Sequence, residues 1–206
     1  MGQPSPPGGG PGPGALPEVR SGRIFILSGP SGAGKTTLRR LLLEACADLR
    51  YSVSFTTRAP RPGEENGRDY LFVSVADFAA GIRRGRWAEW AQVHGNYYGT
   101  SAEVLREGLG AGCDLLLDIV VQGARQICEH FPESVTIFIM PPSLEVLRER
   151  LASRGTDRAD VIARRLENAE AEMGQKDFYR HILVNDDLQT AARELIALVG
   201  SYRARP

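Results

Sequence analysis

The chain has 206 residues, enough for one globular domain with inserted subdomains. Lysine plus arginine equals aspartate plus glutamate at 25 each, so the net charge gives no global basic field that would argue for nucleic-acid binding. No apolar run approaches the roughly 20 residues needed to span a bilayer, so we expect neither a nucleic-acid nor a membrane partner.

The first twenty residues differ in composition from the rest of the chain. Residues 1–17 are mostly proline and glycine, without the basic start or apolar run of a signal peptide. We predict that residues 1–20 form a disordered tail. The three cysteines lie far apart without metal-ligand spacing, which is typical of reduced thiols and favours a cytoplasmic location.

The stretch from residue 23 to residue 38 has the spacing of a phosphate-binding loop. Residues 24–27 predict a buried strand, and an amphipathic helix is predicted from Lys35 onward. Glycines between them allow positive φ, so that successive N–H groups can surround an anion. Lys35 would reach the β- and γ-phosphates of a nucleotide, and the Thr36 hydroxyl would ligate Mg²⁺.

Residues 51–58 alternate as a strand and lead into a proline-rich segment. Pro60 and Pro62 favour polyproline geometry, in which three residues make a turn. Arg58 and Arg61 would then project from the same side. Two guanidinium groups that converge in this way make a phosphate clamp. A solvated basic loop is the alternative.

The next part of the chain predicts a small region of strands around one helix. Strands are predicted at 69–73 and 87–93, on either side of a helix at 75–84. In the second strand, Glu89 would face away from Trp90 and share a face with Trp87. The phenols that follow, Tyr97 and Tyr98, either bind phosphate or simply pack with their hydroxyls in water.

Alternating buried strands and helices then predict a parallel sheet covered on both faces. A helix is predicted from Ser101 to about residue 109. Buried strands are predicted at 113–120 and 135–140, separated by a helix at 122–131. Asp118 ends the first of these strands, where a phosphate-loop enzyme holds Mg²⁺ or its bound water.

The last third of the chain predicts further helices and a final strand. Ser143 caps a helix on which Arg150 and Arg154 share a face. Residues 155–156 break the chain before a charged helix at about 160–173, and a glycine before a polar helical arm suits a mobile lid. A plain solvated helix is the alternative. A strand at 181–185 and a helix at 188–202 follow.

Taken together, these motifs resemble the guanylate kinases from residue 23 to residue 199. The resemblance rests on SGPSGAGK at 28–35, SVSFTTRAPRPGE at 52–64, GRDYLF at 67–72, EWAQ at 89–92, GNYYG at 95–99, PPS at 141–143, RGT at 154–156 and VNDD at 184–187. It implies an α/β fold: a phosphate-loop core at 21–51 and 101–206, a GMP-binding domain at 52–100, and a helical lid at about 155–178.

The resemblance also implies the reaction, in which MgATP phosphorylates GMP to GDP, and the residues that perform it. The implied catalytic residues are Lys35, Arg58, Arg150, Arg154 and Arg165. The implied ATP-binding residues are Gly29, Pro30, Ser31, Gly32, Ala33, Gly34, Lys35, Thr36, Thr37 and Asn185. The implied GMP-binding residues are Ser54, Arg58, Arg61, Tyr70, Glu89, Tyr98 and Thr100. Thr36 and Asp118 would serve Mg²⁺, Asp118 directly or through water. The sequence leaves open whether the protein is a monomer or a homodimer.

One departure from the family pattern affects guanine recognition. The pattern after the strand is Asp, an apolar residue and a second acid, whereas this chain has Asp118, Ile119 and Val120.

Two alternatives to a GMP kinase stay open. One is a phosphate-loop kinase for another phosphorylated acceptor, such as ribose 1,5-bisphosphate, and the other is a catalytically inactive guanylate-kinase-like module that binds proteins.

Overall fold

The computed structural model of the protein describes residues 22–153 and 159–204. The predicted tail at residues 1–20, the predicted chain break at 155–156 and Arg154 lie outside these ranges. Nine strands and seven helices, with a short 3₁₀ helix at Lys176–Phe178, make up the described chain. They run in the order β1 Ile24–Ser28, α1 Lys35–Ala45, β2 Arg50–Tyr51, β3 Phe55–Thr56, β4 Leu71–Phe72, α2 Val75–Arg83, β5 Trp87–Val93, β6 Asn96–Ser101, α3 Ala102–Gly110, β7 Leu115–Asp118, α4 Val121–His130, β8 Val135–Met140, α5 Leu144–Ala152, α6 Ala159–Met173, β9 His181–Val184 and α7 Leu188–Arg203.

The core is a five-stranded parallel sheet in the order β2-β7-β1-β8-β9. Its strands are short apolar runs because both faces of the sheet are covered by helices. On one face α1 and α7 pack over Phe25, Leu27 and Ile137. On the other face α3 and α4 cover Ile26 and Leu117. The predicted α/β fold with a helix-covered parallel sheet is therefore confirmed.

A second, mixed sheet has the order β4-β3-β6-β5. Strands β3 and β4 are parallel, whereas β6 is antiparallel to both β3 and β5. Helix α2 packs on one face of this sheet, where the Phe78 ring stacks on Trp87 at 4.4 Å. Helix α4 of the core lies against β5, so the two sheets are joined along that strand. The second sheet lies within the segment predicted to bind GMP, and the exact domain limits stay a prediction.

The predicted single strand at 51–58 was wrong, because the chain changes sheets within it. Strand β2 belongs to the core sheet, and the Ser52 N–H donates to the Leu116 carbonyl at 3.0 Å. Two residues later the Ser54 carbonyl accepts from Leu71 N–H at 2.9 Å, and β3 begins in the second sheet. Strands of both sheets have side chains that alternate between the two faces. The alternation in the sequence therefore does not reveal where the chain passes from one sheet to the other.

Within the described residues, no helix combines the length and the apolar character that crossing a membrane requires.

Candidate functional site

A cavity of about 320 Å³ opens at the carboxyl ends of β1 and β7, between the two sheets. This is where parallel α/β sheets bind ligands, because their loops and helix N-termini meet there. Most of the predicted site residues line it together. They are Gly29, Pro30, Ser31, Gly32, Gly34, Lys35, Thr36, Thr37, Ser54, Arg58, Arg61, Tyr70, Glu89, Tyr98, Asp118 and Arg165.

Among the described residues, four predicted site residues do not line this cavity. Ala33 and Thr100 are fully buried, and Asn185 is almost so. Arg150 donates from Nη2 to the Asn185 carbonyl at 2.9 Å. These residues lie behind the cavity wall, and the roles that the resemblance implies for them stay predictions.

The phosphate loop has the backbone conformation that its glycines permit. Gly29, Gly32 and Gly34 have φ of 143°, 92° and 90°. At Gly34 a Cβ atom would also lie 2.2 Å from the Asn185 amide nitrogen, so a side chain is excluded twice over. Helix α1 starts directly after Gly34 without a side-chain cap, which leaves its first N–H groups for an anion.

Lys35 extends back over the phosphate loop. Its Nζ donates to the carbonyls of Gly29 at 2.5 Å and Pro30 at 3.2 Å. The ammonium is thereby held at the concave side of the loop, where phosphate oxygens would exchange with these carbonyls. Asn185 braces the same loop, because its amide nitrogen donates to the Ala33 carbonyl at 2.8 Å.

Asp118 is paired with an arginine that the sequence analysis did not select. Arg39 Nη1 lies 3.5 Å from Asp118 Oδ2 and donates to the Tyr51 hydroxyl at 2.5 Å. The guanidinium also lies 4.2 Å from the centre of the Tyr51 ring. Arg39 is one helical turn beyond Lys35, so its position on the same face of α1 was a usable signal.

The two clamp arginines are arranged by a carboxylate that the sequence analysis also missed. Arg58 Nη2 donates to both oxygens of Glu64 at 2.8 and 3.0 Å. Glu64 accepts a further hydrogen bond from the Arg61 N–H at 2.7 Å. Although burial opposes the shift, these bonds lower the pKa of Glu64. Glu64 therefore stays ionised and fixes Arg58 at the edge of the cavity.

Tyr70 completes this side of the cavity. Its ring lies 5.4 Å from the Arg58 guanidinium and packs edge-on against Tyr98. Burial and the neighbouring Asp118 raise the pKa of Tyr70 to about 12. The phenol therefore keeps its proton near neutral pH and can donate it to a phosphate oxygen.

Glu89 of β5 also lines the cavity, and its side chain is only 3% exposed. Thr100 donates its hydroxyl to Glu89 Oε1 at 2.6 Å. Burial raises the pKa of Glu89 to about 7, and the hydrogen bonds from Thr100 only partly oppose this. Nearby, the Ser54 hydroxyl is buried without a hydrogen-bond partner in the described part of the chain. Buried polar groups without partners suit a site that a polar ligand completes.

The prediction of which β5 side chains share a face was right for Trp90 and wrong for Trp87. Glu89 pairs with Thr100 and Trp90 pairs with Gly99, so Glu89 does face away from Trp90. Trp87, however, stacks on Phe78 of α2, on the face of Trp90 and Gly99 and opposite to Glu89. A register shift between Trp87 and Glu89 is the reason, because one extra residue reverses the alternation.

Some residues that line the cavity belong to none of the motifs recognised in the sequence. Val93 and His94 line the cavity from the β5–β6 hairpin, and Glu172 lines it from α6. Burial raises the pKa of Glu172, while the nearby charge of Lys35 opposes this. Helix α6 therefore brings both Glu172 and Arg165 to the phosphate loop.

Comparison with known proteins agrees with this geometry. A family model described as guanylate kinase matches residues 21–202. The chain belongs to the guanylate kinase family. It is 48% identical over 192 residues to a guanylate kinase of Dechloromonas aromatica, covering 90% of this chain and 95% of that protein. A guanylate kinase of Geobacter sulfurreducens is 50% identical, with coverage of 90% and 92%.

A solved guanylate kinase structure supports the same fold. The crystal structure of guanylate kinase from Anaplasma phagocytophilum matches with a TM-score of 0.76 and 34% identity. The match covers 90% of this chain and 88% of that one. Both sheets therefore lie within the part of the chain that guanylate kinases share.

Proposed function

We propose that this cleft transfers the γ-phosphoryl group of ATP to the phosphate of GMP, giving ADP and GDP. The observation that carries the proposal is that Arg58 and Arg61 line the same cavity as Lys35 and the phosphate loop. A glycine loop with a lysine suits the phosphates of a donor nucleotide, and paired guanidinium groups suit an acceptor phosphate. The ATP:GMP phosphotransferase activity of the guanylate kinase family matches this arrangement.

The donor would bind through the backbone of the loop. The N–H groups of residues 31–37 would surround its β- and γ-phosphates, with Lys35 moving from the loop carbonyls to phosphate oxygens. Asn185 would support the loop from behind through its bond to Ala33. Arg150 in turn holds the Asn185 carbonyl, so we assign both residues to positioning the ATP site.

The acceptor would lie between the second sheet and the core. Its phosphate would meet Arg58, Arg61, Tyr70 and Tyr98, which converge on one wall of the cavity. Its purine would reach Glu89 and the unpartnered hydroxyl of Ser54. The Thr100 hydroxyl would act by orienting the Glu89 carboxylate, to which it donates.

The residues present fit a Mg²⁺ ion that arrives with ATP. In residues 22–153 and 159–204, no group of three or more His, Cys, Asp or Glu side chains is placed to hold a metal by itself. Thr36 and Asp118 line the cavity and offer the oxygen donors that Mg²⁺ takes together with nucleotide phosphates and water. Bound there, the ion would neutralise charge on the phosphates.

The reaction needs alignment and charge neutralisation more than proton transfer. A phosphate monoester has a second pKa of about 6, so GMP is mostly dianionic at neutral pH and requires no general base. A GMP oxygen attacks the γ-phosphorus while the bond to the bridging oxygen breaks, and ADP leaves with that oxygen. Lys35, Arg58 and Arg165 would offset the charge that shifts during this step. Closure of α6 over the loop would exclude water as a competing acceptor.

An assay with several acceptors tests the proposal. ADP release from MgATP is measured with GMP, AMP, ribose 1,5-bisphosphate or no acceptor. We expect turnover with GMP that exceeds the others by orders of magnitude. Turnover that depends on ribose 1,5-bisphosphate, or no turnover with any acceptor, would contradict the proposal in favour of one of the two alternatives.

GMP binding is expected to depend on pH through Glu89. Guanine offers N–H donors, so the ionised carboxylate is the form that binds it. Because the pKa of Glu89 is about 7, KM for GMP is expected to fall as pH rises from about 6 to about 8. KM for ATP, measured in the same titration at saturating GMP, should not follow this curve.

The same pKa has a consequence for stability. The folded chain holds the Glu89 proton more tightly than the unfolded chain, in which the pKa is near 4.5. Ionisation therefore costs folding free energy as pH rises through about 4.5 to 7, by roughly 3 kcal/mol in total. Glu89→Gln is expected to raise Tm at pH 8 but not at low pH. It is also expected to raise KM for GMP and to remove the part of its pH dependence that is centred near pH 7. An unchanged pH profile of KM in Glu89→Gln would show that another group titrates.

We further propose a cytoplasmic location. Cys46, Cys113 and Cys128 are free thiols, as a reducing compartment allows.

A further inference from the structure

The end of the cavity that would hold the purine, near Glu89 and Ser54, offers it one carboxylate. The carboxylates that line the cavity in the described chain are Glu89, Asp118 and Glu172. Asp118 is paired with Arg39, and Glu172 lies near Lys35 at the phosphate loop. Glu89 is thus the carboxylate left for the base.

The Glu89 carboxylate is hydrogen-bonded on one oxygen and packed against a helix on the other. Oε1 accepts the Thr100 hydroxyl at 2.6 Å. Oε2 lies against the first turn of α4, where a Cβ added to Gly123 would be only 2.3 Å from it. A carboxylate held in this way presents one edge to the ligand. It can accept the N1–H of a 6-oxopurine and one hydrogen of a neighbouring 2-amino group.

The wall beside Glu89 is apolar and, among the described residues, offers the 2-amino group no second carboxylate. Ile119 and Val120 line it with hydrocarbon side chains. Their carbonyl groups already accept hydrogen bonds, that of Ile119 from the Ser28 hydroxyl at 2.6 Å and that of Val120 from the Ala124 N–H at 2.9 Å. Val120 is also the N-cap residue of α4, where it makes no side-chain hydrogen bond.

A bound guanine would therefore gain one hydrogen bond from its 2-amino group and leave the second hydrogen desolvated against Val120. The gain and the cost are of similar size. Hypoxanthine has a C–H at this position, which suits the apolar wall, and it keeps the N1–H that Glu89 accepts. Adenine has an acceptor at N1, which would face the carboxylate and be repelled.

We infer that the cleft recognises 6-oxopurine nucleotides without requiring the 2-amino group, so that IMP is a second phosphoryl acceptor. The inference rests on the proposed function and specifies its substrate class. An IMP phosphate oxygen attacks the γ-phosphorus, the bond from that phosphorus to the bridging oxygen breaks, and the products are IDP and ADP. kcat/KM for IMP is within about a hundredfold of that for GMP, whereas AMP is at least about 10³-fold poorer than IMP.

The test compares GMP, IMP and AMP as acceptors in the native chain, in Val120→Asp and in Val120→Ala. The carboxylate that Val120→Asp introduces would supply the missing acceptor, and aspartate is a favoured N-cap residue, so the variant should fold. Its GMP-to-IMP ratio of kcat/KM is expected to rise at least about tenfold. Val120→Ala removes apolar volume without adding an acceptor, and its ratio should stay within about threefold of the native one.

The outcomes separate this inference from the proposed function. GMP turnover with a kcat/KM for IMP more than about a hundredfold lower overturns the inference alone. An unchanged ratio in Val120→Asp, with GMP and IMP binding measured by calorimetry to confirm a folded site, also overturns it. Absence of GMP turnover in the native chain overturns the proposed function itself.

Discussion

Replacing Lys35 with methionine is expected to lower kcat about 10²- to 10³-fold while leaving KM for GMP nearly unchanged. Methionine keeps the apolar length of the side chain but removes the ammonium that lies over the Gly29 and Pro30 carbonyls. That charge faces the phosphate concavity, where negative charge shifts during transfer. Initial rates at saturating MgATP, with GMP varied, measure both parameters.

Arg40→Met is the matched control for Lys35→Met. Arg40 lies on the same helix but is exposed and does not line the cavity. Its Nη1 lies 2.6 Å from Glu44 Oε1. Its loss should change kcat by less than about twofold, because exposed pairs contribute little. If Lys35→Met and Arg40→Met behaved alike, Lys35 would have no part in the transfer.

Replacing Arg58 with lysine is expected to lower kcat/KM for GMP about a hundredfold. Lysine retains the charge, so the loss measures the planar fork that can bind two phosphate oxygens at once. Two hydrogen bonds to a charged group contribute about 3 kcal/mol or more, which is roughly a hundredfold in affinity. The effect should fall mainly on KM for GMP, and calorimetric binding of ATP should stay unchanged.

Glu64→Gln is a companion to Arg58→Lys. It removes the carboxylate that aligns the Arg58 fork and the Arg61 backbone. We expect a smaller rise in KM for GMP, about tenfold, because the fork remains but is less ordered. Glu65→Gln provides the control, because it removes the same charge from an exposed side chain that lies 3.4 Å from Arg68. A tenfold rise in KM for GMP in Glu65→Gln as well would mean that the effect does not come from the alignment of the Arg58 fork.

The phosphate loop was predictable because its information is local. A buried strand, three glycines and a helix stand next to each other in the sequence, and the residues from Gly29 to Thr37, except the buried Ala33, line the cavity. Arg58 and Arg61 stand close together in the sequence as well, and both line the cavity. The parallel sheet followed from the alternation of buried strands and helices.

Other features depend on contacts that the sequence does not display. The shift at Trp87 and Glu89 inserts a single residue, which a two-residue alternation cannot reveal. Asn185 reaches the Ala33 carbonyl across 152 positions, so its support of the loop depends on the assembled sheet. Glu64 was missed because a carboxylate in a proline-glycine loop is usually solvated, whereas here it binds Arg58. For Val120 the sequence showed the missing acid, and the structure adds that the carbonyls of Ile119 and Val120 each already accept a hydrogen bond from within the chain.

The central claim is that one cleft holds two nucleotides with their phosphates facing each other. Calorimetric titration with a compound that joins adenosine to guanosine through five phosphates tests this most directly. We expect the native chain to bind it at least about 10²-fold more tightly than ATP or GMP alone, because both halves engage at once. We also expect Lys35→Met and Arg58→Lys each to weaken that binding. Affinity no greater than that for the better single nucleotide would contradict the account.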